Sequence, residues 1–281
     1  MLKISSPEKL RELSLEAKEE GLTVGLVPTM GYLHEGHLSL VRRARERNDF
    51  VIVSIFVNPT QFGPGEDLDK YPRDLARDEA LLDAAGVDLL FIPTPEDVYP
   101  EGFQSVVHLE HITKPLCGAH RPGHFDGVCT VVLKLFNMSA ADDAYFGMKD
   151  YQQLKVIERM VKDLNVGVRI EGMPIIREPD GLAMSSRNKY LSDPERQRAL
   201  ALSKSLDKAE ELVGGGLIEP AELISEVRSV LEAANLEIDY VELLGAENLD
   251  RIESLKGNLL LAIAAYVGTT RLIDNRVLVA R

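Results

Sequence analysis

The feature that most constrains the fold is an alternation of apolar runs with helix-like periodicity over roughly the first 175 residues. One run, FVIVSIFV at residues 50–57, contains a single polar residue, Ser54. The segments between the runs carry apolar residues every three or four positions, which is the spacing of one helix face. Strands that are apolar throughout and separated by helices form a parallel sheet with both faces covered. The sequence therefore predicts an α/β fold whose ligands bind at the carboxyl ends of the strands.

The pattern changes after about residue 176, so we expect two domains. The predicted strands of the first are residues 23–27, 50–57, 87–92, 104–109, 144–147 and 166–171, and its predicted helices are residues 37–48, 75–85, 125–138 and 151–164. The second part has predicted helices at residues 194–212 and 220–234, and predicted strands at residues 236–244, 259–266 and 277–279. We therefore expect a parallel-sheet domain over residues 1–176 and a smaller α+β domain over residues 177–281.

Composition narrows the class of protein and of ligand. A chain of 281 residues with 45% hydrophobic content can bury a sizeable core. No apolar run approaches the ~20 residues that cross a bilayer, and the first residues do not have the pattern of a secretion signal. Two cysteines are too few for a disulfide framework. We expect a cytoplasmic protein without a membrane partner. The net charge of −13 argues against nucleic acid and favours a small anionic ligand held by a few local cations.

The segment PTMGYLHEGH, residues 28–37, places His34 and His37 between an apolar strand and a helix. Gly31 and Gly36 allow the backbone to bend tightly there. The first N–H groups of a helix lack partners within the helix and favour bound anions, so the pair predicts a phosphate site. Helix capping is the alternative role for each histidine. Their spacing of three does not match the i, i+4 histidines of zinc proteases.

Three further polar clusters follow predicted strands or join the two domains. NPTQF at residues 58–62 offers amides that could bind hydroxyl and carboxylate groups, or serve a turn. GMKDYQQ at residues 147–153 offers Lys149 for a phosphate, Asp150 as a helix cap or a ribose or metal contact, and Gln153 one turn further on. DGLAMSSRN at residues 180–188 has the composition of an anion clamp for a leaving pyrophosphate, and also that of an ordinary loop.

The motif RPGHFDGV at residues 121–128 adds a cation and a histidine. Together with the cysteines it forms a C-x2-H-x3-H-x4-C pattern, which formally offers zinc ligands at Cys117, His120, His124 and Cys129. We favour a reading without zinc, because the helix predicted at residues 125–138 would carry Cys129 away from the other three.

Five motifs, taken together and in order, resemble the pantoate–β-alanine ligase family: PTMGYLHEGH, NPTQF, RPGHFDGV, GMKDYQQ and GLAMSSRN. They span most of residues 24–188. The histidine segment resembles the HIGH signature of the nucleotidyltransferase superfamily, and MSSR at residues 184–187 resembles its mobile KMSKS-type loop. Beyond Asn188 the resemblance rests on length and domain order.

The resemblance implies a Rossmann-like first domain, a second domain that acts as a lid, and a homodimer. It implies ATP-dependent condensation of pantoate with β-alanine through a pantoyl adenylate, with release of pyrophosphate and AMP. Mg²⁺ would bridge the phosphates of ATP and be held mostly by ATP and water. The alternatives are a related nucleotidyltransferase that keeps the nucleotide in its product, a non-catalytic nucleotide-binding module, and a fragment of an aminoacyl-tRNA synthetase, which the acidic balance disfavours.

The resemblance also implies roles for single residues. The catalytic set would be His37 as proton donor with His34, Lys149, Ser185, Ser186 and Arg187. ATP would be bound by Met30, Gly31, Tyr32, Leu33, His34, Glu35, Gly36, His37, Gly147, Met148, Lys149, Asp150, Ile176, Met184, Ser185, Ser186 and Arg187. Pantoate would be bound by Gln61 and Gln153, and β-alanine by Gln61.

Overall fold

A computed structural model describes residues 1–216 and 219–280 of the chain. A six-stranded parallel sheet forms its first part, with the strand order β1-β4-β3-β2-β5-β6. These strands are β1 (Leu2–Ile4), β2 (Val24–Thr29), β3 (Phe50–Ile55), β4 (Leu89–Phe91), β5 (Asp143–Gly147) and β6 (Arg169–Met173). The α/β class with a Rossmann-like parallel sheet is therefore confirmed.

Helices cover both faces of this sheet. They are α1 (Pro7–Glu19), α2 (Glu35–Arg47), α3 (Leu75–Ala84), α4 (Pro95–Val98), α5 (Cys117–His120), α6 (His124–Ser139) and α7 (Tyr151–Asp163). Alternate strand residues point to opposite faces. Leu26 packs with the apolar faces of α1, α6 and α7, whereas its neighbour Val27 packs with α2 and α3. This two-sided burial explains why the strands are apolar throughout.

The second part of the chain is built on a three-stranded antiparallel sheet, β7 (Glu237–Gly245), β8 (Gly257–Val267) and β9 (Thr270–Ala280). Three helices precede it: α8 (Asp193–Ala199), α9 (Ala201–Gly214) and α10 (Pro220–Ala233). One face of the sheet packs against α9 and α10, and Tyr240 and Leu260 on the other face pack against Leu116 and Tyr151 of the first part. The two parts therefore meet along a cleft.

Two expectations for the elements are wrong. Residues 104–109 do not form a strand, because no neighbouring strand of the described chain pairs with them; Val107 instead donates its N–H to Thr130 Oγ1 on α6 (3.0 Å). The single helix expected over residues 194–212 is divided into α8 and α9. The Ser203 hydroxyl bonds back to the Leu200 carbonyl there, and bonds of this kind bend helices.

The sequence did not predict β1 and α1 near the amino terminus, or the short helices α4 and α5. It predicted only a short piece of β9, which runs over Thr270–Ala280. No described helix is long and apolar enough to cross a membrane.

Candidate active site

The motifs singled out in the sequence converge on one cavity of about 260 Å³ at the carboxyl edge of the parallel sheet. Loops after β2, β3, β5 and β6 reach this edge, because parallel strands end on the same side. The predicted site residues that line the cavity are Met30, His34, Gly36, His37, Gln61, Gly147, Lys149, Asp150, Gln153, Ile176, Met184, Ser185, Ser186 and Arg187.

His34 and His37 each use one ring nitrogen to cap α2. His34 Nδ1 accepts from the Gly36 N–H (3.1 Å), and His37 Nδ1 accepts from the His34 N–H (3.3 Å). Since both Nδ1 atoms accept, the proton of each neutral ring lies on Nε2. The spacing of three is that of reciprocal caps at a helix start. The capping role and a ligand-binding role are therefore compatible in the same side chains.

Burial keeps both imidazoles neutral at pH 7. It lowers the pKa of His34 to about 4, with the charge of Lys149 as the next cause. Burial likewise lowers the pKa of His37 to about 3, followed by the effects of His34 and Lys149. Neutral rings with the proton on Nε2 act as hydrogen-bond donors rather than as cations.

Residues 28–37 form the histidine corner, and its two glycines meet different geometric requirements. Gly31 has φ +82°, in the left-handed region that favours glycine. Gly36 leaves room for its neighbour, since a Cβ there would lie 2.9 Å from the His34 ring and 3.8 Å from Met184 Cβ. Met184 of the predicted mobile loop therefore lies close to the start of α2.

A network of polar groups fixes Gln61 beside the histidine corner. Asn58 Nδ2 donates to Gln61 Oε1 (3.1 Å), and the Gln61 side chain donates to Met30 Sδ (3.3 Å). The Gln61 carbonyl accepts from His124 Nδ1 (2.8 Å), and Arg121 Nη1 donates to His124 Nε2 (3.1 Å). Burial, followed by the charge of Arg121, lowers the pKa of His124 to about 4.

An apolar wall from α6 closes this side of the cavity. It consists of Val128, Val131, Val132 and Leu135. These side chains line the same cavity as the amides of Gln61 and Gln153, so a ligand with both methyl and polar groups would find both kinds of partner there.

Lys149 lies in a short 3-10 turn, Met148–Asp150, between β5 and α7. Asn275 on β9 holds this turn, because its amide donates to the carbonyls of Met148 (3.0 Å) and Lys149 (2.8 Å). Asp150 stands at the start of α7 without a side-chain capping bond. The antiparallel sheet therefore helps to position a cation of the cavity.

The Ser185–Arg187 segment lies across the cleft from the parallel sheet. Ser185 Oγ accepts from the Arg187 N–H (3.2 Å), and Ser186 Oγ donates to the Tyr32 carbonyl (3.3 Å). Arg187 is paired with both oxygens of Asp67, at 2.9 Å and 2.7 Å. In this conformation the predicted clamp is therefore docked on the first part of the chain, with its guanidinium occupied by a carboxylate.

A second cavity, of about 730 Å³, continues from the first along the cleft. Lys149, Asp150, Gln153, Ser185 and Arg187 line both cavities. The far wall belongs to the antiparallel sheet. The two spaces together are large enough for a nucleotide beside a small acid.

Five of the predicted ATP-binding residues do not line the smaller cavity: Gly31, Tyr32, Leu33, Glu35 and Met148. Leu33 is only 1% exposed and belongs to the apolar core, and Met148 packs against another part of that core. Glu35 is exposed and pairs with Arg42. The contribution of these residues to ATP binding stays a prediction.

The sequence did not predict a role for four charged residues that shape the site, which are two neighbouring carboxylates and an arginine next to an aspartate. Glu66 and Asp67 hold Arg121 and Arg187, and Arg77 and Asp78 hold the backbone of the histidine loop. The signal in the sequence was the charged stretch EDLDKYPRDLARD, residues 66–78, shortly after NPTQF.

The residues of the formal zinc pattern have separate partners. Cys117 contacts Tyr240, His120 pairs with Asp239, and His124 contacts Gln61. Cys129 is buried in α6, and burial raises its pKa to about 12. Among residues 1–216 and 219–280, no three His, Cys, Asp or Glu side chains gather as a metal site.

Comparisons with known proteins agree over nearly the whole chain. The pantothenate synthetase of Sulfurihydrogenibium sp. (strain YO3AOP1) is 52% identical over 274 residues, which cover 97% of this chain and 98% of the relative. That of Heliobacterium modesticaldum (strain ATCC 51547 / Ice1) is 54% identical over 274 residues, with 96% and 98% covered.

Solved structures give the same result for the fold. The pantothenate synthetase of Thermus thermophilus has a TM-score of 0.92 at 47% identity, with 98% of this chain and 99% of that one covered. The pantoate-β-alanine ligase of Francisella tularensis, solved with β-γ ATP and β-alanine, has a TM-score of 0.82 at 34% identity, with 99% and 97% covered. The family model described as pantoate-β-alanine ligase matches residues 3–277. The chain therefore belongs to the pantoate-β-alanine ligase family.

Proposed function

We propose that the protein condenses pantoate with β-alanine to pantothenate, using ATP and passing through a pantoyl adenylate. The observation that carries this proposal is the meeting of His34, His37, Lys149 and the Ser185–Arg187 segment around a cavity that also contains two glutamines and an apolar wall. The related Francisella ligase was solved with β-γ ATP and β-alanine, which supports ATP and an amine as co-substrates.

In the first step a carboxylate oxygen of pantoate bonds to the α-phosphorus of ATP. The bond from that phosphorus to the oxygen shared with the β-phosphate breaks, and pyrophosphate leaves with this oxygen. Because both partners are anions, catalysis consists mainly of alignment and of stabilising charge on the phosphates. His34 and His37 would donate from Nε2, and Lys149 would supply a positive charge beside them. The proton-donor role proposed for His37 is then hydrogen-bond donation by a neutral ring, because its pKa is lowered to about 3.

Pantoate would lie between the amides and α6. Its methyl groups would contact Val131 and Leu135, and its hydroxyl and carboxylate groups would bind Gln61 and Gln153. The network of Asn58 and His124 fixes Gln61 in place for this task. Gln61 would also contact β-alanine, as the resemblance to the family implies, because it lines the cavity in which the acyl group would lie.

In the second step the amine of β-alanine bonds to the acyl carbon of the adenylate, the bond from that carbon to the phosphate oxygen breaks, and AMP leaves. The amine loses a proton in forming the amide. Mg²⁺ would enter with ATP, held by phosphate oxygens and water, as is usual for this hard cation.

We also propose the division into domains at residues 176 and 177, with the second acting as a lid. The loop that carries Ser185–Arg187 follows this boundary and docks on Tyr32 and Asp67. The two free cysteines support a cytoplasmic location, because reducing compartments keep thiols unpaired.

A homodimer is part of the same proposal. The segment at residues 104–109 supports it, because Val106 is 65% exposed there and the segment forms no strand with the described chain. A large apolar side chain exposed on such a segment favours contact with another chain.

The experiment that tests the reaction is exchange of labelled pyrophosphate into ATP with pantoate present, followed by addition of β-alanine while AMP and pantothenate are measured. Pantoate-dependent exchange without the amine, and AMP release with it, are the expected results. A folded protein that binds ATP and gives neither would be a nucleotide-binding module. Exchange followed by a product that keeps the nucleotide would indicate a different nucleotidyltransferase.

A further inference from the structure

Two charged residues at the start of α3, Arg77 and Asp78, hold the loop that leads into His34. Asp78 accepts from the N–H groups of Tyr32 (2.6 Å) and Leu33 (2.7 Å), and Arg77 donates to the Leu33 carbonyl (2.8 Å). We propose that Asp78, assisted by Arg77, is the positioning residue that sets the histidine corner and its contact with the Ser185–Arg187 segment. This inference rests on the function proposed above.

The loop needs such support because of its backbone conformation. Gly31 has φ +82° and Tyr32 has φ +51°, so two consecutive residues lie in the left-handed region. Glycine adopts it freely, but a residue with a side chain is disfavoured there and stays only where its surroundings hold it. The carboxylate of Asp78 holds it by accepting two successive N–H groups of this turn.

Asp78 is buried, which separates it from an ordinary surface carboxylate. It is 1% exposed, and burial raises its pKa while the bonds from Leu33 and Tyr32 oppose that rise. Burying a carboxylate is unfavourable unless hydrogen bonds compensate for lost water. The compensation comes from the loop and from Arg77, whose guanidinium lies 3.9 Å away.

The turn that carries Tyr32 also contacts the Ser185–Arg187 segment on the opposite side of the cleft. The Tyr32 carbonyl accepts from Ser186 Oγ (3.3 Å), and Lys189 Nζ lies 4.2 Å from the centre of the Tyr32 ring. A residue that fixes Tyr32 therefore fixes the docking point of the predicted clamp as well as the direction in which the chain enters His34.

Asp78 also decides where a phosphate can bind. Successive N–H groups in a turn form a natural anion site. Here the chain's own carboxylate fills that site, at 2.6 Å and 2.7 Å from the two nitrogens. A ligand phosphate is thereby left to the Nε2 donors of His34 and His37 and to Lys149.

The test compares Asp78→Asn with Glu79→Gln, a matched loss of one charge at the next position of α3, where the side chain pairs with Lys3. Asparagine keeps the size of the side chain but offers only one oxygen acceptor to the two N–H groups. Two properties are measured after each variant is shown to be folded. The first is the tautomer of His34 and His37 by nitrogen NMR of the ligand-free protein, assigned with single His→Gln variants. The second is pantoate-dependent ATP–pyrophosphate exchange.

For Asp78→Asn we expect both imidazoles to lose their single tautomer and exchange to fall about tenfold or more, since small misplacements can cost up to about a hundredfold. Glu79→Gln should have the same imidazole tautomers and the same rate of exchange as the unchanged protein. A folded Asp78→Asn protein that keeps one tautomer at each ring, or exchanges within about twofold of the original, overturns the inference. Absence of exchange in the unchanged protein would instead refute the proposed function. The NMR comparison would still test whether Asp78 positions His34 and His37.

If Asp78→Asn does not fold, the variant Arg77→Met tests the inference in its place. Arg77 is half exposed, so its loss leaves the core intact while removing the bond to the Leu33 carbonyl. We expect mixed tautomers and a loss of exchange of about threefold, which corresponds to one weak hydrogen bond. Unchanged imidazole signals and exchange in this variant overturn the inference.

Discussion

At the residue scale, each histidine of the corner combines an observed role with a proposed one. Nδ1 of His34 and of His37 caps α2, and both rings line the cavity. Capping and the proposed ligand binding, which looked like alternatives in the sequence, would therefore use opposite sides of the same ring. This division also fixes the tautomer, because the capping nitrogen must accept.

Removing either His37 or Lys149 should abolish most adenylate formation. Replacing His37 with Ala removes a donor to the phosphates and a cap of α2, so we expect exchange to fall about 10²-fold or more and stability to fall by about 1 kcal/mol. Lys149→Ala should show the same loss of exchange without the loss of a cap. Exposed His111 provides the control, since His111→Ala should leave both properties unchanged. Near-normal exchange in folded His37→Ala would refute its catalytic role.

The buried imidazoles also predict how stability depends on pH. The folded pKa values of about 4 for His34 and about 3 for His37 lie below the value of about 6.5 for an unfolded chain. As pH falls below about 6.5, the two imidazoles bind protons in the unfolded state but stay neutral in the folded state. The free energy of unfolding therefore decreases. Each ring should account for about 1–2 kcal/mol between pH 7 and pH 5, measured by urea unfolding.

The control for that measurement is a pair of variants. His37→Gln should flatten the decline between pH 7 and pH 5, whereas His111→Gln, at an exposed position, should leave its slope unchanged. Equal slopes in all three proteins would mean that His37 is already solvated in the folded state.

At the scale of elements, the site depends on loops that reach across the cleft. The amide of Asn275 on β9 holds the Lys149 turn, and Arg177 pairs with both oxygens of Asp274 on the same strand (2.7 Å and 3.0 Å). One strand of the antiparallel sheet therefore supports both the cation after β5 and the start of the loop that carries Ser185–Arg187.

Asp67 accepts from Nε and Nη2 of Arg187, so the proposed binding of a phosphate by Arg187 would compete with this ion pair. We expect Asp67→Asn to bind ATP a few-fold more tightly, because a partly exposed ion pair contributes up to about 1 kcal/mol. Titration calorimetry with Mg-ATP measures this change. Asp69→Asn is the matched control, since Asp69 lies in the same loop without lining either cavity. Weaker binding by Asp67→Asn would show that the carboxylate aids Arg187 rather than competing for it.

At the scale of the whole molecule, one surface segment suggests self-association. Val106 is 65% exposed, while Val107 and Leu109 of the same segment pack on the core. Val106→Asp should therefore shift the protein from dimer to monomer in sedimentation without changing its thermal stability as a fold. Val279→Asp is the control, because Val279 is 68% exposed on β9, in the second part of the chain. A dimer unaffected by Val106→Asp would place the interface elsewhere.

Local pattern predicted most of the parallel sheet because its central strands are buried on both faces and are therefore apolar throughout. It failed at residues 104–109, which have the composition of a strand but no neighbour to pair with in the described chain. It also missed β1, which is three residues long and too short to show a period. Strand formation requires a partner, and a partner is a property of the fold rather than of the segment.

By itself, the sequence determined the fold class and the motifs of the site, because glycines, histidines and apolar runs act over a few neighbouring residues. Tertiary structure decided what those motifs contact. The pairs Asp78 with Tyr32, Asp67 with Arg187 and Asn275 with Lys149 join residues 46, 120 and 126 positions apart. No local pattern encodes such contacts, because hydrogen bonds between distant segments form only after the packed core has brought their loops to one edge of the sheet.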